Sequence, residues 1–111
     1  MDLSLLVANP TADCVIKDPY TDKDTDIIIT VYGPYSKEYT AAFQAQAKRE
    51  DTETFDLIAD LTVDWINVDF EGNPLEFNKA NALKVYGIKH SVVKSQVEGF
   101  ILNGRNFLPK R

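Results

Sequence analysis

The hydrophobic and polar positions of this chain change period several times, and each change marks an element. From Asp26 to Tyr32 (Asp26-Ile27-Ile28-Ile29-Thr30-Val31-Tyr32) nearly every side chain is β-branched or aromatic. That suits a pleated strand buried on at least one face. Gly33-Pro34 stops the strand, because proline lacks a ladder donor and glycine relaxes the backbone. Ser36 then sits where a helix N-cap belongs, with Glu38 at the positive end of the helix that follows. Strand, turn and capped helix succeed one another within about a dozen residues, so the stretch 26–49 organises the rest.

Upstream, Cys14–Lys17 reads as a short strand closed by Asp18-Pro19, and the polar run to Thr25 makes it the partner of the next strand in an antiparallel hairpin. Residues 1–9 read either as one or two helical turns capped by Asp2, with Leu3, Leu6 and Val7 on one face, or as an extended arm. Downstream, Tyr39, Ala42, Phe43 and Ala47 form the apolar stripe of a helix from Lys37 to about Arg49, and Lys48 and Arg49 suit its negative end. A second helix is expected from a cap at Asp51 or Thr52, with Glu53 and Asp56 in its first turn. Phe55, Ile58, Ala59, Thr62 and Ile66 would line one face and Leu57, Leu61 and Trp65 a neighbouring one, as in a central helix covered on two sides.

The period shortens at Asn67. Val68-Asp69-Phe70-Glu71 and Leu75-Glu76-Phe77 alternate around Gly72-Asn73-Pro74, either a small hairpin or a folded loop. Asn78 caps a short helix ending at Tyr86, with Gly87 in the C′ position. Ser91 caps a last helix carrying Val93, Val97, Phe100 and Ile101. Gly104 ends it, and residues 107–111 are expected to trail off. The expected fold class is α+β: an N-terminal antiparallel β-hairpin packed on about four α-helices, with a second small hairpin open near residues 67–77. A chain of 111 residues is expected to form a single domain over 1–111, burying roughly two-thirds of its unfolded surface.

Charge sharpens the picture. The formal net charge is −5, which speaks against electrostatic binding of nucleic acid. Residues 1–76 carry 5 basic and 16 acidic side chains, and residues 77–111 carry 7 basic and 1 acidic. Such a dipole along the sequence either neutralises itself within one molecule or lets copies stack head to tail. Cys14 is the only cysteine, so no internal disulfide and no cysteine metal cluster are expected, in keeping with a reducing cytosol. Met1–Val7 is too short and too acidic at its start for a secretory leader. No apolar run approaches the length of a membrane span.

Candidate chemistry is sparse. Asp22-Lys23-Asp24-Thr25-Asp26 has the alternating acids that open a calcium loop, but its sixth and twelfth positions hold Ile27 and Gly33 in place of glycine and glutamate. His90 is the only histidine. A Cys14–His90 pair has no local signature around either residue, and Cys14 fits strand packing. Trp65, Phe70 and Phe77 form a candidate ligand-stacking set, although aromatic residues at such spacing more often build a core. No glycine-rich phosphate loop is present. An enzyme is not expected, and no cofactor or metal.

Three features, taken in order and spacing, resemble the tail assembly chaperones of long-tailed bacteriophages. The first is a strand ending at Asp18-Pro19, an apolar strand, and then Gly33-Pro34-Tyr35-Ser36-Lys37-Glu38-Tyr39-Thr40-Ala41-Ala42. The second is Trp65, then Val68, then Glu71-Gly72-Asn73-Pro74-Leu75-Glu76-Phe77-Asn78 leading into Lys79-Ala80-Asn81-Ala82. The third is an amphipathic terminal helix with Gln96 and Phe100 and a closing Asn106-Phe107-Leu108. The resemblance spans about position 14 to 108. It implies a non-catalytic chaperone of the host cytoplasm that binds the tape measure protein, keeps it soluble and helps tail-tube protein assemble around it. It also implies a homo-oligomer with no nucleic-acid or membrane partner. Tyr32, Tyr35 and Phe107, which flank the strand-to-helix junction and the tail, are the candidate partner-binding residues. The rival expectations are a structural head–tail connector or tail terminator subunit retained in the virion, and a small-molecule-binding or enzymatic domain around Trp65, Phe70 and Phe77.

Overall fold

The computed structural model describes residues 1–48, 54–89 and 91–109. Strands β1 (Thr11–Lys17) and β2 (Asp24–Tyr32) form the antiparallel hairpin. A third strand, β3 (Thr62–Ile66), pairs antiparallel with the other side of β2, so the sheet order is β1-β2-β3. The central strand is the one richest in β-branched residues, as expected of a strand with neighbours on both sides. Cross-strand rows follow from the register. Cys14, Ile29 and Trp65 form one row, and all three are buried. Asp13, Thr30 and Asp64 form the next row, and Val15, Ile28 and Ile66 another, both on the opposite face.

Four helices follow the sheet elements: α1 (Lys37–Ala47), α2 (Thr54–Asp60), α3 (Lys79–Tyr86) and α4 (Val92–Leu102). Helix α4 lies against β1 and β2, α2 lies against β3, and α3 packs on α2 and α4. Three helix starts are capped by the side chains their sequences offer. The Oγ of Ser36 accepts from Tyr39 N–H at 3.1 Å, Asn78 Oδ1 from Asn81 N–H at 2.8 Å, and Ser91 Oγ from Lys94 N–H at 3.1 Å. Asp2 caps a single 3-10 turn over Leu3–Leu6 in the same way, and Leu3 and Leu6 of that turn stay exposed while Leu5 is half-buried. Gly87 caps α3 with a right-handed φ of −81°, so the turn there makes no use of glycine's freedom.

The small hairpin near residues 67–77 exists as β4 (Asp69–Phe70) and β5 (Asn73–Pro74). Glu71 and Gly72 both have positive φ, 53° and 83°, the backbone of a type I′ turn whose twist matches the strands.

Two expectations fail. Residues 62–66 do not extend the second helix; they are strand β3. The register slips between Thr30 and Val31, leaving Val63 as an extra residue in β3, so the buried positions Thr62 and Trp65 stand three apart. A bulge thereby imitates helical spacing. Thr62 marks the switch: its hydroxyl donates to the Ile58 carbonyl at 2.9 Å and accepts from Tyr86 OH at 2.8 Å, closing α2 and tying it to α3. The tail does not trail off either. Gly104–Phe107 forms a 3-10 turn capped by Asn103, and Phe107 is fully buried. In α1 the stripe is only partly used, because Ala42 is buried while Phe43 and Ala47 stay exposed. The expectations resting on Arg49, Asp51, Thr52, Glu53, His90, Lys110 and Arg111, and on the Phe55 side chain, lie outside the described residues.

Phe107 closes the core at a glycine. Its ring lies so close to Gly33 that a methyl group there would stand under 3.0 Å from three ring atoms. Backbone bonds lock the same region: Asn9 N–H donates to the Phe107 carbonyl at 2.6 Å, and Gly33 N–H to the Pro10 carbonyl at 2.9 Å. At the opposite end of β1, Gln96 of α4 covers the strand edge. Lys17 N–H donates to Gln96 Oε1 at 2.7 Å and Gln96 Nε2 donates back to the Lys17 carbonyl at 2.8 Å. Gly33→Ala should therefore lower stability by about 1–3 kcal/mol through overpacking. Urea denaturation should find a lower midpoint at an unchanged m-value.

Candidate functional site

Helices α2 and α4 pack against the sheet, whose buried row is Cys14, Ile29 and Trp65, and the rows on the other face carry exposed side chains. On that face Val15 is 38% exposed and Ile66 52%, with Ile28 half-buried between them. The acidic row beside them holds Asp13 and Asp64, both exposed, around Thr30, whose hydroxyl donates to Asp13 Oδ1 at 2.7 Å. Asp26 lies at the entry of β2, and Val63, pushed outward by the bulge, is 36% exposed. The result is an aliphatic strip bordered by carboxylates. Sequence reasoning missed this strip. Its signal was present in β2, where apolar residues occupy both faces, although only one face is roofed by helices.

The candidates Tyr35 and Phe107 do come together at the strand-to-helix junction, but on opposite sides of the surface. Phe107 stacks edge-on against Phe100, with ring centres 5.7 Å apart, and is 0% exposed. It presents nothing to a partner, because it is the residue that seals the core over Gly33. Tyr35 is 67% exposed and lies over Gly104, where an added methyl group would stand 2.9 Å from its hydroxyl. Tyr32 is half-buried at the end of β2, its position in the alternation placing it on the open face with Ile28 and Thr30. Of the three, Tyr35 is the one presented outright.

Trp65, Phe70 and Phe77 do not form a stacking box. Trp65 is buried, meets Phe77 edge-on at 5.0 Å and donates its indole N–H to the Leu75 carbonyl at 2.8 Å. It thus pins the small hairpin to the sheet. Phe70 lies under Lys84, whose Nζ is 4.6 Å from the ring centre. A shallow cleft beside Trp65 and Phe77 includes Asp64, Asp69 and Glu76. Among the described residues, no group of three or more His, Cys, Asp or Glu side chains is placed to hold a metal ion. The calcium-like loop is instead closed by its own backbone: Asp18 N–H donates to the Lys23 carbonyl, and the Asp18 carboxylate caps Tyr20 N–H at 2.8 Å. Among the described residues, no helix is long and apolar enough to cross a membrane.

Two buried groups with ionisable protons belong to the core. Burial pushes the Cys14 thiol from 9.0 up to about 11 and the Tyr86 phenol from 10.0 up to about 12. A thiol held protonated is a poor nucleophile. The unfolded chain would lose these protons near their ordinary values while the folded chain keeps them. Stability should therefore be full below pH 9 and fall as pH rises from about 9 to 12. Urea midpoints measured across that window should decline, and Cys14→Ala should flatten the lower part of the decline.

No protein-family model matches the chain, and comparison with curated proteins and with solved structures finds no match either.

Proposed function

We propose that this chain is a non-catalytic tail assembly chaperone of a long-tailed bacteriophage, which holds the tape measure protein soluble in the host cytoplasm while tail-tube protein assembles around it. The observation that carries the reading is the open sheet face, with Val15, Ile28 and Ile66 bordered by Asp13, Asp64 and Asp26. An apolar strip left in water marks a surface for another polypeptide. A tape measure, being long and helical, offers apolar stripes at the spacing such a surface accepts. Carboxylates at the border reject acidic partners and favour a cationic flank.

The holding role asks for many weak contacts that release together, so that avidity and not single-site affinity keeps the client. Opposed charge along the sequence, net −11 before residue 77 and +6 after it, supports stacking of copies along one rod. The motif order from Gly33 to Phe107 supports the same reading through its likeness to these chaperones. The buried thiol and the self-satisfied loop give catalysis no support.

Co-expression with the tape measure protein encoded by the same phage is the test. The tape measure should become soluble and co-purify with the chain, and Ile66→Asp combined with Val15→Asp should return most of it to the pellet. Mass spectrometry of purified virions should find the chain missing. A fixed copy number in the particle would favour a connector or terminator subunit instead.

A further inference from the structure

A second apolar surface lies away from the sheet face, in a groove between α1, α2 and α4. Ile58 and Leu61 line its buried side, while Phe43 (41% exposed) and Leu102 (69% exposed) stand at its rim. Tyr39 stacks on Phe43 with ring centres 4.6 Å apart, which holds that wall in place. The space measures about 180 Å³. A dry cavity of about 150 Å³ accepts a benzene-sized guest, so this one holds a single large apolar side chain. Ligand sites for cofactors run to about 300 Å³ and more.

Glu98 brings a carboxylate to the groove. Its side chain is 37% exposed, but among the described residues its Oε2 is shielded from solvent and accepts no hydrogen bond. Among the described residues, its ion-pair partner is Lys94, whose Nζ is 3.6 Å away on the same helix, beyond hydrogen-bond reach. Lys94 balances the charge without bonding Oε2, and a charged donor at hydrogen-bond distance is the partner that satisfies such an oxygen best.

We propose that this groove grips a partner helix by one large apolar side chain, with a Lys or Arg one turn along that helix bonding Glu98. The inference rests on the holdase reading above, and the occupant is an amphipathic helical segment of the client. Three or four residues separate side chains on one face of a helix, so an apolar residue in the groove brings a cation at that spacing to the carboxylate. Arginine suits the site better than lysine, because its fork bonds a carboxylate through two N–H groups. The chain's own exposed apolar segment, Leu3 to Val7, is a poor occupant. Asp2 immediately precedes it, and no Lys or Arg side chain precedes Lys17.

The probe is a set of overlapping peptides covering the tape measure protein, with binding to the full chain followed by fluorescence anisotropy. The peptides that bind should share a large apolar residue followed three or four positions later by Arg or Lys. Glu98→Gln should weaken them about tenfold, and Glu98→Lys should abolish binding. Changing the peptide cation to Glu should restore binding to the Glu98→Lys protein. Leu102→Asp, at an exposed rim position, serves as a second groove variant, and unchanged melting curves verify that each variant folds. Groove variants that hold the client as well as the wild type would overturn this inference and leave the chaperone reading standing. A wild-type chain that neither binds peptides nor solubilises the tape measure would overturn both. A wild-type oligomer that groove variants dissociate would overturn the inference in favour of a second copy as occupant.

Discussion

The close approach of the Phe107 ring to Gly33 is the constraint on which the remaining architecture leans. At that point the sheet ends, α1 begins and the C-terminal turn arrives, and only a residue without a side chain leaves room for all three. Ser36 reinforces the junction from within. Its hydroxyl donates to the Gly33 carbonyl at 2.7 Å while accepting from Tyr39 N–H, so one side chain shapes the turn and starts the helix. Because the C-terminal turn is also bonded to Asn9, both ends of the described chain close over the same corner of the sheet.

With that corner fixed, the helices have one face of the sheet to cover. Cys14, Ile29 and Trp65 look inward, and the neighbouring rows must look out. An aliphatic row in water weakens the monomer by the burial it forgoes, on the order of 25 cal/mol for each Å² left exposed. Such a cost is retained more readily where a surface has work to do. The acidic row of Asp13 and Asp64 disfavours pairing with further acidic strands. Edge protection follows the same logic: Gln96 occupies the β1 edge at Lys17, and the Asp64 carboxylate takes the Trp65 N–H at 2.8 Å. The face is thus open while parts of both edges are guarded, which suits docking of side chains over addition of strands.

Legibility varied with the range of the interaction. Caps at Asp2, Ser36, Asn78 and Ser91 were readable, because a cap needs only its own residue and an amide two or three positions on. The hairpin β1–β2 was readable for the same reason, whereas the turn expected at Gly72-Asn73-Pro74 lies one residue earlier, at Glu71-Gly72, with Asn73-Pro74 paired as β5. Strand β3 was not, because its bulge gave Thr62 and Trp65 a helical interval and the deciding factor was the free edge of β2, far away in sequence. Phe107 was misplaced since nothing adjacent to it announces that Gly33 will be its floor. The candidate site was legible only in part: of the three aromatic candidates Tyr35 alone is exposed, whereas the strip of Val15, Ile28 and Ile66 needs the register of three strands, and Glu98 needs α1 and α2 to build its pocket.

By itself the sequence determined the elements whose stabilising contacts lie within a few residues: an apolar strand halted by Gly33-Pro34, helices opened by capping hydroxyls and amides, and the charge separation between the two parts of the chain. Only the tertiary structure decided which apolar residues would be roofed and which left to water. That choice depends on how many helices can reach each face of the sheet, and no residue carries that information alone. Burial is a property of neighbours, and here the decisive neighbours of Ile29, Trp65 and Phe107 lie dozens of positions away.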